Sequence, residues 1–136
     1  MISSSRYGPG MSTFLFVYGT LLPGAQSWEV LEPFVDGHGM PDSVSGELFD
    51  TGLGYPSAVV DERSTNLVQG RTLQLTATHS AAALAALDEF EDVADGLFRR
   101  VVVTTGSGRT AWIYVNGAGF TLTRIPSGDW MLHDAP

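Results

Sequence analysis

Residues 80–91, Ser-Ala-Ala-Ala-Leu-Ala-Ala-Leu-Asp-Glu-Phe-Glu, carry the one strong helical signal in this chain. Alanine and leucine dominate the stretch, no proline or glycine interrupts it, and Ser80 stands where an N-cap belongs. Elsewhere the apolar residues fall in short runs closed by turn-forming residues, the pattern of strands. The predicted strands are Phe14–Val17, Val44–Phe49, Tyr55–Val60, Leu67–Leu75, Phe98–Thr104, Thr110–Val115 and Phe120–Thr123. Gly70 is expected to bulge or bend its strand, and Gly106-Ser107-Gly108 to turn a hairpin. A shorter helix is expected over Gln26–Val35, capped by Ser27, with Trp28, Leu31 and Val35 on one face and a break near Pro33. One principal helix and one minor helix among six or seven strands, without strict alternation, predict an α+β fold with a mixed sheet. Strands at such short spacing can curl into a small barrel.

The chain's 136 residues suffice for one domain with a real core, expected over residues 13–136. The Ser/Gly/Pro-rich residues 1–12 read as a disordered N-terminal extension, and Met11 as an alternative start. Composition removes several chemistries. The net charge is -8, which gives no electrostatic footprint for nucleic acid or an anionic membrane. All seven basic residues are arginine, so lysine Schiff bases and a P-loop lysine are excluded. With no cysteine there is no thiol nucleophile, disulfide or zinc–thiolate site. His38, His79 and His133 lack metal-ligand spacing and read as surface residues. Neither a serine-hydrolase elbow nor a dinucleotide fingerprint is present. No apolar run is long enough to span a membrane, and the expected location is the cytoplasm. The oligomeric state is left open.

Two local features carry chemistry. The first is the run Phe14-Leu15-Phe16-Val17 into Tyr18-Gly19-Thr20-Leu21, a buried strand ending in a glycine corner. Such a corner can aim several backbone N–H groups at one anion or oxyanion, although a plain strand and turn would look the same. The second is the acidic end of the helix, where five carboxylates fall between Asp88 and Asp95. At 100° per residue, Ala83, Leu84, Leu87 and Phe90 define the buried face and Glu91 falls within it. Burial, the helix dipole and neighbouring acids would all push its pKa up, toward that of a general acid or base. The competing expectation is a helix that frays before Glu91 and leaves it in solvent.

Taken in order, the Tyr-Gly-Thr-Leu strand exit, Gly54-Tyr55-Pro56-Ser57-Ala58-Val59, the Leu87-Asp88-Glu89-Phe90-Glu91 helix end, Phe98-Arg99-Arg100, Ala111-Trp112-Ile113-Tyr114-Val115 and Ser127-Gly128-Asp129-Trp130 resemble the gamma-glutamylcyclotransferase family, the AIG2-like group. The likeness runs from Phe14 to about His133. It implies a small mixed α/β barrel in which Tyr18, Gly19, Thr20 and Leu21 hold the γ-glutamyl part of a small substrate and Glu91 transfers protons. The implied reaction is attack of the substrate's α-amine on its own γ-carbonyl, releasing 5-oxoproline and an amine or amino acid without a cofactor. Two positions depart from the family pattern. Asp92 stands where a glycine commonly follows the glutamate, and Phe98 replaces a tyrosine. The alternative is a non-catalytic module of the same fold that binds an amino acid or anion.

Two further residues matter to that site. Tyr114, two positions from Trp112 on one strand face, belongs either to the core or to the pocket. An inward Arg100 must pair with an acid, Asp88 or Glu91; pairing with Glu91 would lower its pKa and weaken the case for a base.

Overall fold

The computed structural model describes residues 13–117 and 122–134. The predicted extension at 1–12, the alternative start at Met11 and the first half of the predicted strand Phe120–Thr123 lie outside those residues. The elements are β1 (Thr13–Val17), α1 (Trp28–Leu31), β2 (Met40–Asp50), β3 (Pro56–Val60), β4 (Leu67–Leu75), α2 (Ser80–Phe90), β5 (Phe98–Thr104), β6 (Thr110–Asn116), β7 (Thr123–Ile125) and α3 (Trp130–His133). The strands form one mixed sheet in the order β3-β2-β4-β1-β6-β5, with β7 paired to β2. This is the expected α+β class, with the sheet curled into a half-barrel.

Strand β1 is central. It runs antiparallel to β4 and parallel to β6, with Leu15 opposite Leu73 and Trp112. Both its edges are therefore paired, and each of its faces enters a core, which is why its sequence is an unbroken apolar run and not an alternation. Leu15 and Val17 join Leu73, Leu75, Ala83 and Leu87 in a core under the helices. Phe16 and Tyr18 point the other way, into a second core with Val44, Leu48, Ala58, Ile113 and Trp130 inside the curl.

Tyr18 also holds the curl together. Its hydroxyl donates to the Tyr114 carbonyl on β6 at 2.6 Å and accepts the Ala58 N–H of β3 at 3.2 Å. These two strands are not ladder neighbours, so the phenol bridges the open seam of the half-barrel. Tyr18→Phe leaves the buried Ala58 N–H without its acceptor and is expected to cost ~1–3 kcal/mol, read by urea denaturation. An unchanged denaturation midpoint would show that the seam closes without it.

Several local expectations change. Gly70 does not bulge: β4 is continuous and pairs in register with β2, Gly70 opposite Asp42. Gly70 is required instead by close approach, because a Cβ there would collide with the Val17 carbonyl. The helix predicted over Gln26–Val35 shrinks to the single turn of α1 followed by a 3-10 turn at Glu32–Phe34, since Pro33 cannot donate in a continued helix. Ser80 is the first residue of α2 and His79 takes the cap position, without a side-chain capping bond. The last strand comes later than predicted, at Thr123–Ile125.

The predicted β5–β6 hairpin forms. Its Gly106-Ser107-Gly108 loop is tied to β2 by Asp42, which accepts the Ser107 N–H at 3.0 Å and the Ser107 hydroxyl at 2.7 Å. Partial desolvation acts upward on this carboxyl but is outweighed by hydrogen bonds from Ser107, Thr72 and Thr105, leaving its pKa at about 2. Among the described residues, no helix is long and apolar enough to cross a membrane.

Candidate active site

The glycine corner after β1 is built by consecutive turns. Gly19 O accepts the Leu22 N–H at 3.0 Å, Leu22 O accepts the Ala25 N–H at 2.9 Å, and Thr20 O accepts the Ser27 N–H at 2.8 Å. With the carbonyls turned into the loop, the N–H groups of Gly19, Thr20 and Leu21 meet no protein acceptor among the described residues. Gly19 is fixed by contact and not by dihedral: a Cβ there would lie 2.7 Å from Pro56 Cγ and 2.9 Å from Pro56 Cδ. The Tyr55-Pro56 entry to β3 is thus packed directly onto the corner.

Opposite the corner, α2 ends at Phe90, and Glu91 is its C-terminal cap residue. The chain therefore stops being helical where the fraying alternative placed the break, yet Glu91 is not released to solvent. Its N–H still bonds to Leu87 O at 2.8 Å, which keeps the residue on the helix end and its carboxyl against the cavity. Phe90, expected in the core, is 44% exposed and forms part of the cavity rim. After Glu91 the backbone reverses at Asp92, whose φ of 56° is the only left-handed non-glycine conformation among the described residues. This explains why glycine suits that position. Asp92→Gly is expected to raise the melting temperature by a few degrees without altering the cavity. A lower melting temperature would show that the Asp92 side chain holds the turn.

The corner, the helix end and β6 enclose a cavity of about 210 Å³. Tyr18, Gly19, Thr20 and Leu21 line one wall with Gln26 and Ser27. Glu91 and Tyr114 face them, and Tyr55, Pro56, Leu97 and Phe98 complete the enclosure. All six residues singled out from the sequence thus border one space. Its size lies below the ~300–1,000 Å³ of pockets for drug-sized ligands and suits a molecule of amino-acid dimensions.

Among the described residues, Glu91 is the only charged one in this lining. Desolvation raises its pKa to about 7. Of the neighbouring acids invoked from the sequence, Asp88 is paired with Arg100 and Asp92 shares a hydrogen bond with Asp95, and burial is the cause of the shift. Burial and the Glu91 charge push the Tyr18 hydroxyl pKa far up, and burial with the Asp88 hydrogen bond does the same for Tyr114. Both phenols stay neutral. Arg100 chooses Asp88, at 2.7 Å, so the pairing that would have weakened Glu91 as a base does not form.

Sequence reasoning did not place Gln26, Ser27, Tyr55 or Pro56 in the site. Tyr55-Pro56 carried a signal, as a rigid dipeptide leaving a glycine turn, but nothing in its spacing tied it to Gly19. Among the described residues no cluster of His, Asp and Glu has the arrangement of a metal site.

A family model described as "Gamma-glutamyl cyclotransferase, AIG2-like" matches residues 15–132. A curated protein of Halalkalibacterium halodurans, "Putative gamma-glutamylcyclotransferase BH1612", is 38% identical over 94 residues, covering 65% of this chain and 80% of that protein. Among solved structures, YkqA from Bacillus subtilis superposes with a TM-score of 0.70 at 25% identity, over 90% of this chain. The chain spans only 41% of YkqA. An AIG2-like protein from Mus musculus superposes with a TM-score of 0.64 at 19% identity, covering 81% of this chain and 80% of that one, a likeness of fold.

Proposed function

Because the chain belongs to the gamma-glutamyl cyclotransferase, AIG2-like family, we propose that it is an enzyme that cyclises a small γ-glutamyl compound, with Glu91 as the proton-transfer group. The observation that carries this reading is a single desolvated carboxyl, with a pKa of about 7, facing a glycine corner across a cavity of amino-acid size. A carboxyl poised near neutrality is suited both to take and to return a proton.

The substrate's α-ammonium would bind beside Glu91. Glu91 as carboxylate removes one proton, and the freed amine nitrogen attacks the γ-carbonyl carbon. The C–N bond that forms closes a five-membered ring and places negative charge on the carbonyl oxygen. N–H groups of the Gly19–Leu21 corner are the candidate donors to that oxyanion, each such donor being worth about 3 kcal/mol. Protonated Glu91 then gives its proton to the leaving nitrogen as the γ-amide C–N bond breaks, and the carboxylate so restored takes the second proton from the ring nitrogen and passes it to the departing amine, which leaves as an ammonium. The products are 5-oxoproline and a free amine or amino acid. Nucleophile and electrophile belong to one molecule, so a cavity that folds the substrate toward ring closure supplies much of the acceleration. No step calls on a metal or organic cofactor.

A panel of γ-glutamyl amino acids, γ-glutamyl alkylamines and γ-glutamyl-ε-lysine conjugates, assayed for 5-oxoproline, tests the reading. Release from at least one class is expected. Binding without turnover across the panel would favour a non-catalytic module.

A further inference from the structure

Asp88 lies one helical turn before Glu91, and its carboxylate serves two partners. It accepts Arg100 Nε on Oδ1 at 2.7 Å and Arg100 Nη2 on Oδ2 at 3.1 Å, the bidentate geometry of a strong ion pair. Oδ1 also accepts the Tyr114 hydroxyl at 2.6 Å. The Arg100 guanidinium is held from its other side by Trp112, 4.3 Å from the ring centroid. Arg100 on β5 and Tyr114 on β6 are register partners, so α2 and both strands converge on this one carboxylate. Tyr114 lines the cavity; Asp88 and Arg100 stand behind it.

We propose that Asp88 is a positioning residue for the site: it clamps Arg100 against Trp112, away from Glu91, and by accepting the hydrogen bond of the Tyr114 hydroxyl it leaves the phenol oxygen as an acceptor for a donor in the cavity. The assignment rests on Glu91 being the base. A free guanidinium beside Glu91 would hold it ionised and make it a weaker base. It would also repel an ammonium substrate. Clamped on Asp88, the same cation is neutralised within the wall. With its proton committed, Tyr114 can receive a hydrogen bond from the substrate's amine but cannot donate one to its carbonyl.

The groups facing Glu91 are Tyr18 from the β1–α1 corner, Tyr55 before β3 and Tyr114 on β6, all interacting with its charge. Asp88 on its own helix and Arg100 on β5 form the balanced pair. The phenols stay neutral across the titration of Glu91, so changes in its midpoint report on the pair.

The test is a carboxyl-carbon NMR titration of Glu91, without substrate, in the wild type, Asp88→Asn, Arg100→Gln and the double variant. Asp88→Asn strands a cation and is expected to lower the Glu91 midpoint by about half a unit to one unit. Arg100→Gln strands an anion and is expected to raise it by a similar amount. The double variant is expected to return to the wild-type midpoint. Single variants that leave the midpoint unchanged, or move it in the same direction, would overturn the proposal. If Asp88→Asn does not fold, the upward shift in Arg100→Gln carries the test. Because no turnover is involved, these shifts would survive failure of the cyclotransferase reading, and turnover would survive failure of the clamp.

Discussion

Glu91→Gln is expected to abolish most 5-oxoproline release and, at the same time, to make the protein more stable in alkaline buffer. The catalytic loss is roughly 10²–10⁴-fold in kcat, the usual worth of a positioned general acid–base. The amide keeps the size of the side chain but can neither take the α-ammonium proton nor return one. The stability gain follows from linkage. In the folded protein, desolvation raises the Glu91 pKa from its ordinary value of 4.5 to about 7. Below the unfolded value the group is neutral in both states and costs nothing. As pH rises from there through the folded pKa, the unfolded chain releases a proton that the folded chain retains, and stability falls. Above about pH 7 the loss levels off at about 3 kcal/mol, which glutamine avoids. Thermal melts should therefore show the variant more stable than the wild type near pH 8 and the two converging near pH 4. Parallel melting curves at all pH values would mean that Glu91 titrates like a surface carboxylate. Stability given up at a functional carboxyl is the expected signature of a poised base.

The second large effect is expected from Gly19→Ala. The added methyl would overlap Pro56, whose ring cannot swing aside as a flexible side chain would. Either Pro56 or the corner must move. Overpacking of this kind costs ~1–3 kcal/mol. A displacement of about 1 Å at the groups that orient the reacting carbonyl can cost about 10²-fold in rate. The melting temperature should thus fall moderately while kcat/KM falls more steeply than the residual stability would explain. Combining Gly19→Ala with Pro56→Ala, which removes the obstructing ring, is expected to recover part of the activity. Equal losses in the single and double variants would show that the contact is not what makes glycine necessary. Tyr18, next in sequence, works differently: its hydroxyl is occupied by Tyr114 and Ala58, so its side chain holds the half-barrel closed while its neighbours' backbone faces the cavity.

The periodic parts of this fold were legible because periodicity is local. Strand β4 falls at the predicted Leu67–Leu75, and the β5–β6 hairpin forms around its glycines. What local patterns do not carry is which glycine answers to which distant backbone. Gly70 looked like a bulge or bend and is a close-packing residue against Val17; Gly19 looked like the glycine of a tight corner, and it is Pro56 that excludes a side chain there. The site was legible to a similar depth. The helical period placed Glu91 toward the core, and it is desolvated there even though α2 stops one residue short of it. The same period misplaced Phe90, because the helix end opens onto a cavity and leaves that ring on the rim. The choice of Asp88 over Glu91 by Arg100 depended on the register of β5 with β6 and on Trp112, which no spacing rule supplies.

On the proposed reading, a near-neutral Glu91 moves protons in γ-glutamyl cyclisation. The most direct measurement is the pH dependence of kcat/KM for 5-oxoproline release from whichever γ-glutamyl compound the protein accepts. The wild-type rate is expected to rise with pH through a single ionisation near 7, moved by the Asp88 and Arg100 substitutions, and the residual Glu91→Gln rate to lack that step. A wild-type rate independent of pH between about 5.5 and 8.5, matched by Glu91→Gln, would contradict that reading.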